Sequence, residues 1–419
     1  MLNKLKPRSE FSRNVLTLMT GTTIAQAIPI AISPILTRIY TPEDFGVFAL
    51  FVAIAAVFST VVCGRYENAI MLPDNDEDAI NIFALGFLIV CSISIFLLFI
   101  ILCFDSLILS VLNNSQIGIW LYFIPLVVFF IGIFNLLSFF NNRRKNYKDI
   151  SNATIIKSIV TAIVQLSIGF LKQGATGLIT GQIVSHFFAN LKLAKNITKE
   201  KKLLNSVSAQ RIKYLAKKYI DFPKYQAPHA FTNSFSSNIP IYLFSTFFNS
   251  TVVGFYSLST RIVFSPLMII ASSSAKVYNQ KVSELYNQNA DSYGFTIRFL
   301  KSLSKKIIVP FILIIIFAPD IFAFVFGEIW REAGIYTQIL APWLFLNVLL
   351  STISYISSII GKQKKAFLIS VLLSFFTIIS IIIGIIFNDI YIALFYFSFI
   401  NSIFLIYNAI WMLKYIKEQ

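Results

Sequence analysis

Long apolar stretches separated by short polar gaps run the whole length of this chain. Twelve can be marked, at 15–37, 45–64, 79–104, 117–140, 150–171, 174–194, 226–247, 252–274, 306–327, 335–360, 366–387 and 390–413. Each is long enough, as a helix rising ~1.5 Å per residue, to cross a hydrocarbon core ~30 Å thick. The runs are continuous and lack the in-out alternation of barrel strands. Since lipid admits only helices or closed barrels, the pattern predicts an all-α polytopic membrane protein with about twelve transmembrane helices.

Composition supports that class. Hydrophobic residues make up 57% of the chain and charged residues 13%, against ~25% charged in soluble domains. The net charge of +16 would suit nucleic acid if it were gathered on one surface. Instead, nearly all of the 35 Lys and Arg fall at the termini or in every second gap. Only Arg38, Lys172 and Arg331 fall on the other side, while Lys157 and Arg261 lie inside spans. The positive-inside rule then places both termini in the cytoplasm, and no nucleic-acid partner is expected. Asp74, Asp76, Glu77 and Asp78 make the second gap acidic, a partial exception that the rule weighs little. Cys63, Cys91 and Cys103 lie in or at the ends of spans and form no disulfide or zinc pattern. Ala25-Gln26-Ala27 resembles a signal-peptidase site, but the apolar run continues to Leu36, too long for a signal core. The first span therefore reads as retained.

The chain also resembles itself. Thr23-Ile24-Ala25-Gln26-Ala27-Ile28-Pro29-Ile30 matches Ser234-Phe235-Ser236-Ser237-Asn238-Ile239-Pro240-Ile241, and Gly46-Val47-Phe48-Ala49-Leu50 matches Gly254-Phe255-Tyr256-Ser257-Leu258. Both offsets are about half the chain. Six spans per half is an even number, so the halves enter the membrane from the same face, as parallel transporter repeats do. The expected organisation is an N-terminal six-helix lobe over 1–194, a cytoplasmic linker over 195–225 and a C-terminal six-helix lobe over 226–419. In the linker, Ile212, Leu215, Tyr219 and Ile220 fall near one helical face among Arg211, Lys213, Lys217 and Lys218. That is the pattern of a basic amphipathic helix lying on an anionic leaflet. A second such connector is expected over 276–305.

The candidate functional residues are mostly cations. Arg261 lies about nine residues, or ~14 Å, into the eighth span. A charge there is costly unless it meets a cavity or a partner, so Arg261 is the first candidate to contact an anionic substrate. Lys157 lies about seven residues into the fifth span, with a stem that could snorkel. Arg65 and Glu67 form an i,i+2 pair at the end of the second span. Arg38 closes the first span and, on physical grounds alone, reads as an interface anchor. Pro29 and Pro240 sit at matched places and would suit helices that bend during gating. His186 and His229 are isolated, which argues against a metal. No Walker loop, dinucleotide fingerprint or catalytic triad is present, and no gap on the presumed outer side is long enough for an external domain.

Two blocks carry a family resemblance. Leu36-Thr37-Arg38-Ile39-Tyr40-Thr41-Pro42-Glu43-Asp44-Phe45-Gly46 is followed by Arg65-Tyr66-Glu67-Asn68-Ala69-Ile70 and Leu72-Pro73. The second half has Phe222-Pro223-Lys224-Tyr225, Pro228, Val253-Gly254-Phe255-Tyr256-Ser257-Leu258, Arg261 and Pro266. Together they resemble the bacterial polysaccharide flippases, the O-antigen and capsule repeat-unit translocases of the multidrug/oligosaccharidyl-lipid/polysaccharide exporter superfamily. The resemblance implies two six-helix lobes around a central cavity in the inner membrane. It implies a non-enzymatic translocation of undecaprenyl-diphosphate-linked oligosaccharide by alternating access, with membrane lipids, a polysaccharide polymerase and chain-length machinery as partners. Arg261 matches the family pattern as a substrate contact, and Arg38 and Arg65 gain weight from it. Lys157 rests on its depth alone. No cofactor or metal is implied, and coupling to an ion gradient stays open. The alternatives are a cation-coupled drug or solute exporter on the same scaffold, which would prefer buried carboxylates, and a glycan polymerase, which would need a large extramembrane loop.

Overall fold

The computed structural model describes residues 10–171, 174–288 and 290–417; Lys172 lies outside them. The described chain is helical, with twelve helices of eighteen residues or more. They are α1 (Glu10–Ile39), α2 (Pro42–Ser59), α3 (Asp76–Leu112), α4 (Ile124–Arg143), α5 (Tyr147–Gly169), α6 (Thr176–Lys199), α7 (Ala227–Phe247), α8 (Ser250–Asn287), α9 (Ser292–Phe326), α10 (Arg331–Ser351), α11 (Gln363–Ile386) and α12 (Ile390–Lys417). Each answers to one of the twelve apolar stretches. Ten candidate spans are long and apolar enough to cross a membrane. The other two, α6 and α7, are long enough but carry polar runs: Gln182, Ser185, His186 and Asn190 in α6, and Asn233 to Asn238 in α7.

The chain divides into two compact units, one ending at Asn238 and one starting at Ile239. Within the first, α2 and α3 each pack on α4, α4 packs on α6, and α5 packs on both α6 and α1. Within the second, α8 and α9 each pack on α10, α10 packs on α12, and α11 packs on α12. Shifting every label by six converts most of one set into the other, so the internal sequence match is a repeat of packing as well. The α1–α5 pairing breaks the rule, having no equally extensive α7–α11 counterpart.

Local chemistry explains the joints. Tyr40 ends α1 and sends its hydroxyl to the Gln165 carbonyl of α5 at 2.6 Å. A Cβ at Gly169 or Gly177 would run into the Tyr40 ring or hydroxyl, so glycine is required where this ring wedges between helices. Next, Thr41 caps α2 through its side chain while Asp44 returns a bond to the Thr41 backbone, with Pro42 at the first helical position. This capping box satisfies helix donors that would otherwise be orphaned. The conspicuous Thr41-Pro42-Glu43-Asp44 run is thus a helix start.

The polar gaps on the basic side form a clasp in the first unit. Asp76 accepts from Arg143 at 2.9 Å and from Arg144, which also reaches Glu200 at 2.7 Å. Arg211 pairs with Asp78 and, at 3.3 Å, with Glu77. The acidic second gap therefore serves as counter-charge for arginines from neighbouring gaps, which is why it departs from the basic pattern.

Both expected connectors turn their apolar faces onto protein. The linker helix Ala209–Lys218 turns its apolar face onto protein: Leu215 is fully buried, and Ala216 accepts the Tyr66 hydroxyl at 2.8 Å. Over 276–305 there is no separate connector. The 38-residue α8 and 35-residue α9 are each over ~50 Å long and run straight on. Tyr278 stacks on Phe295 and Phe299 and bonds Thr296 at 2.8 Å. Tyr278 and Val282 share a core with Ile353, Ile356, Trp411 and Met412. In both places protein surface, rather than lipid, takes up the apolar face.

Candidate functional site

Arg261 is the eleventh residue beyond the start of α8, ~16 Å along the helix axis. The start itself is fixed by Asn249, whose side chain accepts from the Val252 N–H. One face of α8 is committed to the second unit: Ser259 is fully buried and its hydroxyl donates to the Ala333 carbonyl of α10 at 2.6 Å. At 100° per residue, Arg261 lies opposite Ser259, with Ser257, Phe264 and Ser265 on its side. It is half-buried and has no hydrogen bond or ion pair among the described residues. A guanidinium at this depth with no carboxylate nearby is a costly arrangement for a protein to keep, and it offers forked donors to an anion.

Lys157, on α5, is also half-buried. Its ammonium lies 5.1 Å from the centre of the Phe134 ring on α4, and His186 on α6 packs edge-to-face on the same ring at 5.9 Å. The cation-π contact compensates part of the lost hydration. His186 is buried with an unpartnered Nδ1, and Asn190, one turn on, has an unpartnered Oδ1. His186 looks isolated along the chain, but Gln182, His186 and Asn190 share one helix face at i, i+4 and i+8, a signal that a polar stripe runs down α6.

Arg65 and Glu67 come together at 3.4 Å. Gly64 and Arg65 both adopt left-handed backbone conformations, with φ of 59° and 62°, making the sharp turn that brings Glu67 inward. Glu67 is buried and its Oε2 has no hydrogen-bond partner. Burial raises its carboxyl above the ordinary value, against the opposing pull of a backbone hydrogen bond and Arg65. Arg38 is exposed in the last turn of α1, where a cation suits the helix dipole. The whole of α2, ~27 Å, separates Arg38 from Arg65, so these two cannot grip one headgroup together.

Pro29 and Pro240 are both inside helices. Proline at position 29 cannot donate to the Ala25 carbonyl, and Ser158 of α5 fills the gap, donating to that carbonyl at 2.8 Å. Pro240 frees the Ser236 carbonyl, which receives no side-chain donor among the described residues. Asp105 lies beside the kink at Phe104 within α3, Asp320 near the end of α9 and Asp389 at the start of α12, and they bond respectively to Tyr122, to Arg331 and to the N–H groups of Tyr391 and Ile392. Among the described residues no cluster of three His, Cys, Asp or Glu could hold a metal ion.

A family model described as polysaccharide biosynthesis protein matches residues 35–335. The chain belongs to that family. Among curated proteins none matches the sequence. Among solved structures, the lipid II flippase MurJ in an inward closed conformation is similar with a TM-score of 0.70 at 15% identity, over 94% of this chain and 87% of that one. A multidrug resistance MATE family transporter of the MOP superfamily, inward-facing, gives 0.60 at 13% identity over 96% of both chains. A MOP superfamily transporter from Pyrococcus furiosus gives 0.54 at 13% identity over 96% and 94%. At such identities the likeness is one of fold, and the fold is that of the MOP transporters. This family member is accordingly a polytopic helical protein with the MOP transporter fold, and ten of its helices are long and apolar enough to cross a membrane. Its matched region holds Arg38, Arg65, Glu67, Lys157 and Arg261.

Proposed function

We propose that this protein is a flippase that moves undecaprenyl-diphosphate-linked oligosaccharide repeat units across the bacterial cytoplasmic membrane, supplying O-antigen or capsule assembly. The observation that carries the reading is Arg261: an uncompensated guanidinium near mid-span, in a transporter fold, in a polysaccharide biosynthesis family. A diphosphate is the part of such a substrate that can meet it with forked, charge-assisted bonds. Lys157 is the in-span cation of the first unit, with Arg65 and Arg38 as further contacts nearer the two membrane faces. Both termini and the linker are cytoplasmic in this reading, and alternating access exposes the cations to one side and then the other.

The test measures surface glycan, lipid-linked intermediates and membrane abundance together. Deleting the protein should leave repeat units assembled on their lipid but stalled on the cytoplasmic leaflet. Arg261→Ala should reproduce that block at normal abundance, and Arg261→Lys should restore part of the export. Full export by the Ala variant at normal abundance would remove Arg261 from the substrate path. Failure of repeat-unit synthesis in the deletion would point to an assembly step instead.

A further inference from the structure

The linker helix Ala209–Lys218 has two faces with different occupants. Its inner face is closed. Leu215 is fully buried, Tyr66 bonds the Ala216 carbonyl, and Arg211 pairs with Asp78. Asn81 joins the segment at both ends of a turn, donating to the Ser206 carbonyl at 3.0 Å and accepting from the Ser208 N–H at 3.0 Å. These bonds fix the height of the helix. Asp78 and Asn81 lie in the first turns of α3, and the apolar run of that span begins at Ala79. The linker helix is therefore held level with the point where α3 enters the hydrocarbon, at headgroup depth.

The outer face is open. At 100° per residue, Lys213, Lys217 and Tyr214 share the half-turn opposite Ile212 and Leu215, with Lys218 at its edge. All four are exposed, Tyr214 by 61%. Exposed Leu204 and Val207 precede them, and exposed Ile220, Lys224 and Tyr225 follow. Lys213 and Lys217 have no ion-pair partner among the described residues, while Lys218 lies over the Tyr219 ring at 5.4 Å and within the field of Asp78. By contrast, Arg211 on the inner face of the same helix and Arg144 on an adjoining polar segment are both paired. Unpaired lysines interleaved with aromatic and aliphatic side chains, pinned at headgroup depth, complement a surface that is anionic at the top and apolar just beneath.

We infer that the outer face of this helix is a docking surface for the anionic phospholipid headgroups of the leaflet on the basic side. The occupant is the bilayer in which the chain itself sits, so no separate partner has to be recruited. Contact there would hold the linker down between the two halves of the chain and make its position sensitive to lipid charge and salt. The inference does not depend on the substrate proposed above.

The test uses the full-length protein in vesicles, with Tyr214→Cys as the single labelled position after replacement of Cys63, Cys91 and Cys103. An environment-sensitive probe at 214 is compared in phosphatidylcholine vesicles and in vesicles containing one quarter phosphatidylglycerol. Anionic lipid should blue-shift the probe and shield it from acrylamide, and high salt should reverse both changes. Each Lys→Gln change at 213, 217 and 218 should weaken the shielding about fivefold, matching ~1 kcal/mol per surface cation. Membrane abundance should hold, because Tyr66, Arg211 and Leu215 are untouched. Equal quenching in neutral and anionic vesicles would overturn the inference, as would shielding that appears only when a soluble acidic protein is added.

Discussion

The two halves of this protein repeat one packing plan but treat their first helix differently. In the first unit, α1 is docked along α5. Gly21 lies against Ser151, Ser158 holds the Ala25 carbonyl, and Tyr40 reaches Gln165. In the second half of the chain, α7 has no equally extensive packing on α11, and the Ser236 carbonyl freed by Pro240 has no side-chain donor among the described residues. The cations follow the same division: Lys157 is covered by the Phe134 ring, whereas Arg261 has no hydrogen-bond or ion-pair partner among the described residues. One plan thus yields a first half whose proline-freed carbonyl and mid-span lysine find partners within the protein, and a second half whose matching carbonyl and mid-span arginine find none among the described residues.

If that contrast is functional, the two cations should differ most. Arg261→Ala should cut export about 100-fold, the scale of lost charge-assisted bonds to an anion at ~1.5–3 kcal/mol. Lys157→Met should cut it by no more than about tenfold, since its ring contact of ~1–2 kcal/mol serves the resting protein, and should also lower thermal stability. Initial export rates and detergent melting curves for both variants decide this. The reverse ranking would break the comparison.

Pro240→Ala comes next. Restoring the backbone donor to Ser236 should stabilise the protein by about 1 kcal/mol, within the cost of an interior proline. Export should slow severalfold if bending of α7 is part of the cycle. Unchanged export in a stabilised variant would make Pro240 a packing feature only.

The Ser158 bond sharpens the contrast from the other side. Ser158→Ala should cost ~1 kcal/mol, the typical worth of a hydrogen bond. In a Pro29→Ala background it should cost close to nothing, because residue 29 then supplies the missing N–H to Ala25. A double-mutant cycle by unfolding in one fixed detergent measures the coupling. Additive losses would show that the two groups act separately.

Much of the architecture was legible from periodicity alone, because a span must be long, apolar and helical whatever its neighbours are. All twelve stretches became helices, and the half-chain repeat became a repeat of packing. The acidic gap was legible as an anomaly, but its cause needed three dimensions: Asp76, Asp78 and Glu77 meet arginines from sixty to more than a hundred residues away. The amphipathic segments misled for a related reason. A helical face shows only that something apolar covers it, and for Leu215 and Tyr278 that cover is protein. His186 was discounted as isolated in sequence, although α5 and α4 bring Lys157 and Phe134 to it. Pro29 and Pro240 looked equivalent because nothing near either one in sequence reveals a serine on another helix.

The smallest expected effect concerns Glu67, which has no acidic counterpart in the second half: the repeat offset falls on Ala275 to Tyr278. Folding takes its carboxyl out of water, and burial raises its pKa above 4.5, more than the backbone bond and Arg65 lower it. In the folded protein it therefore keeps its proton at a pH where the unfolded chain has released it. A group shifted this way contributes its full stability below the unfolded value and loses that contribution as pH rises through the folded one. Stability should fall with rising pH across that window, by an amount that belongs to the first unit alone. Glu67→Gln keeps the shape and removes the titration. Relative to the native chain, the Gln variant should gain stability as pH rises above the ordinary carboxyl value of 4.5. Arg65→Gln should steepen the native slope by removing the one charge that favours the carboxylate. Melting temperatures read across that range in one detergent test both. Parallel curves for the native chain and the Gln variant would mean that Glu67 carries no buried charge cost, and that the first unit answers its acids as completely as its carbonyls.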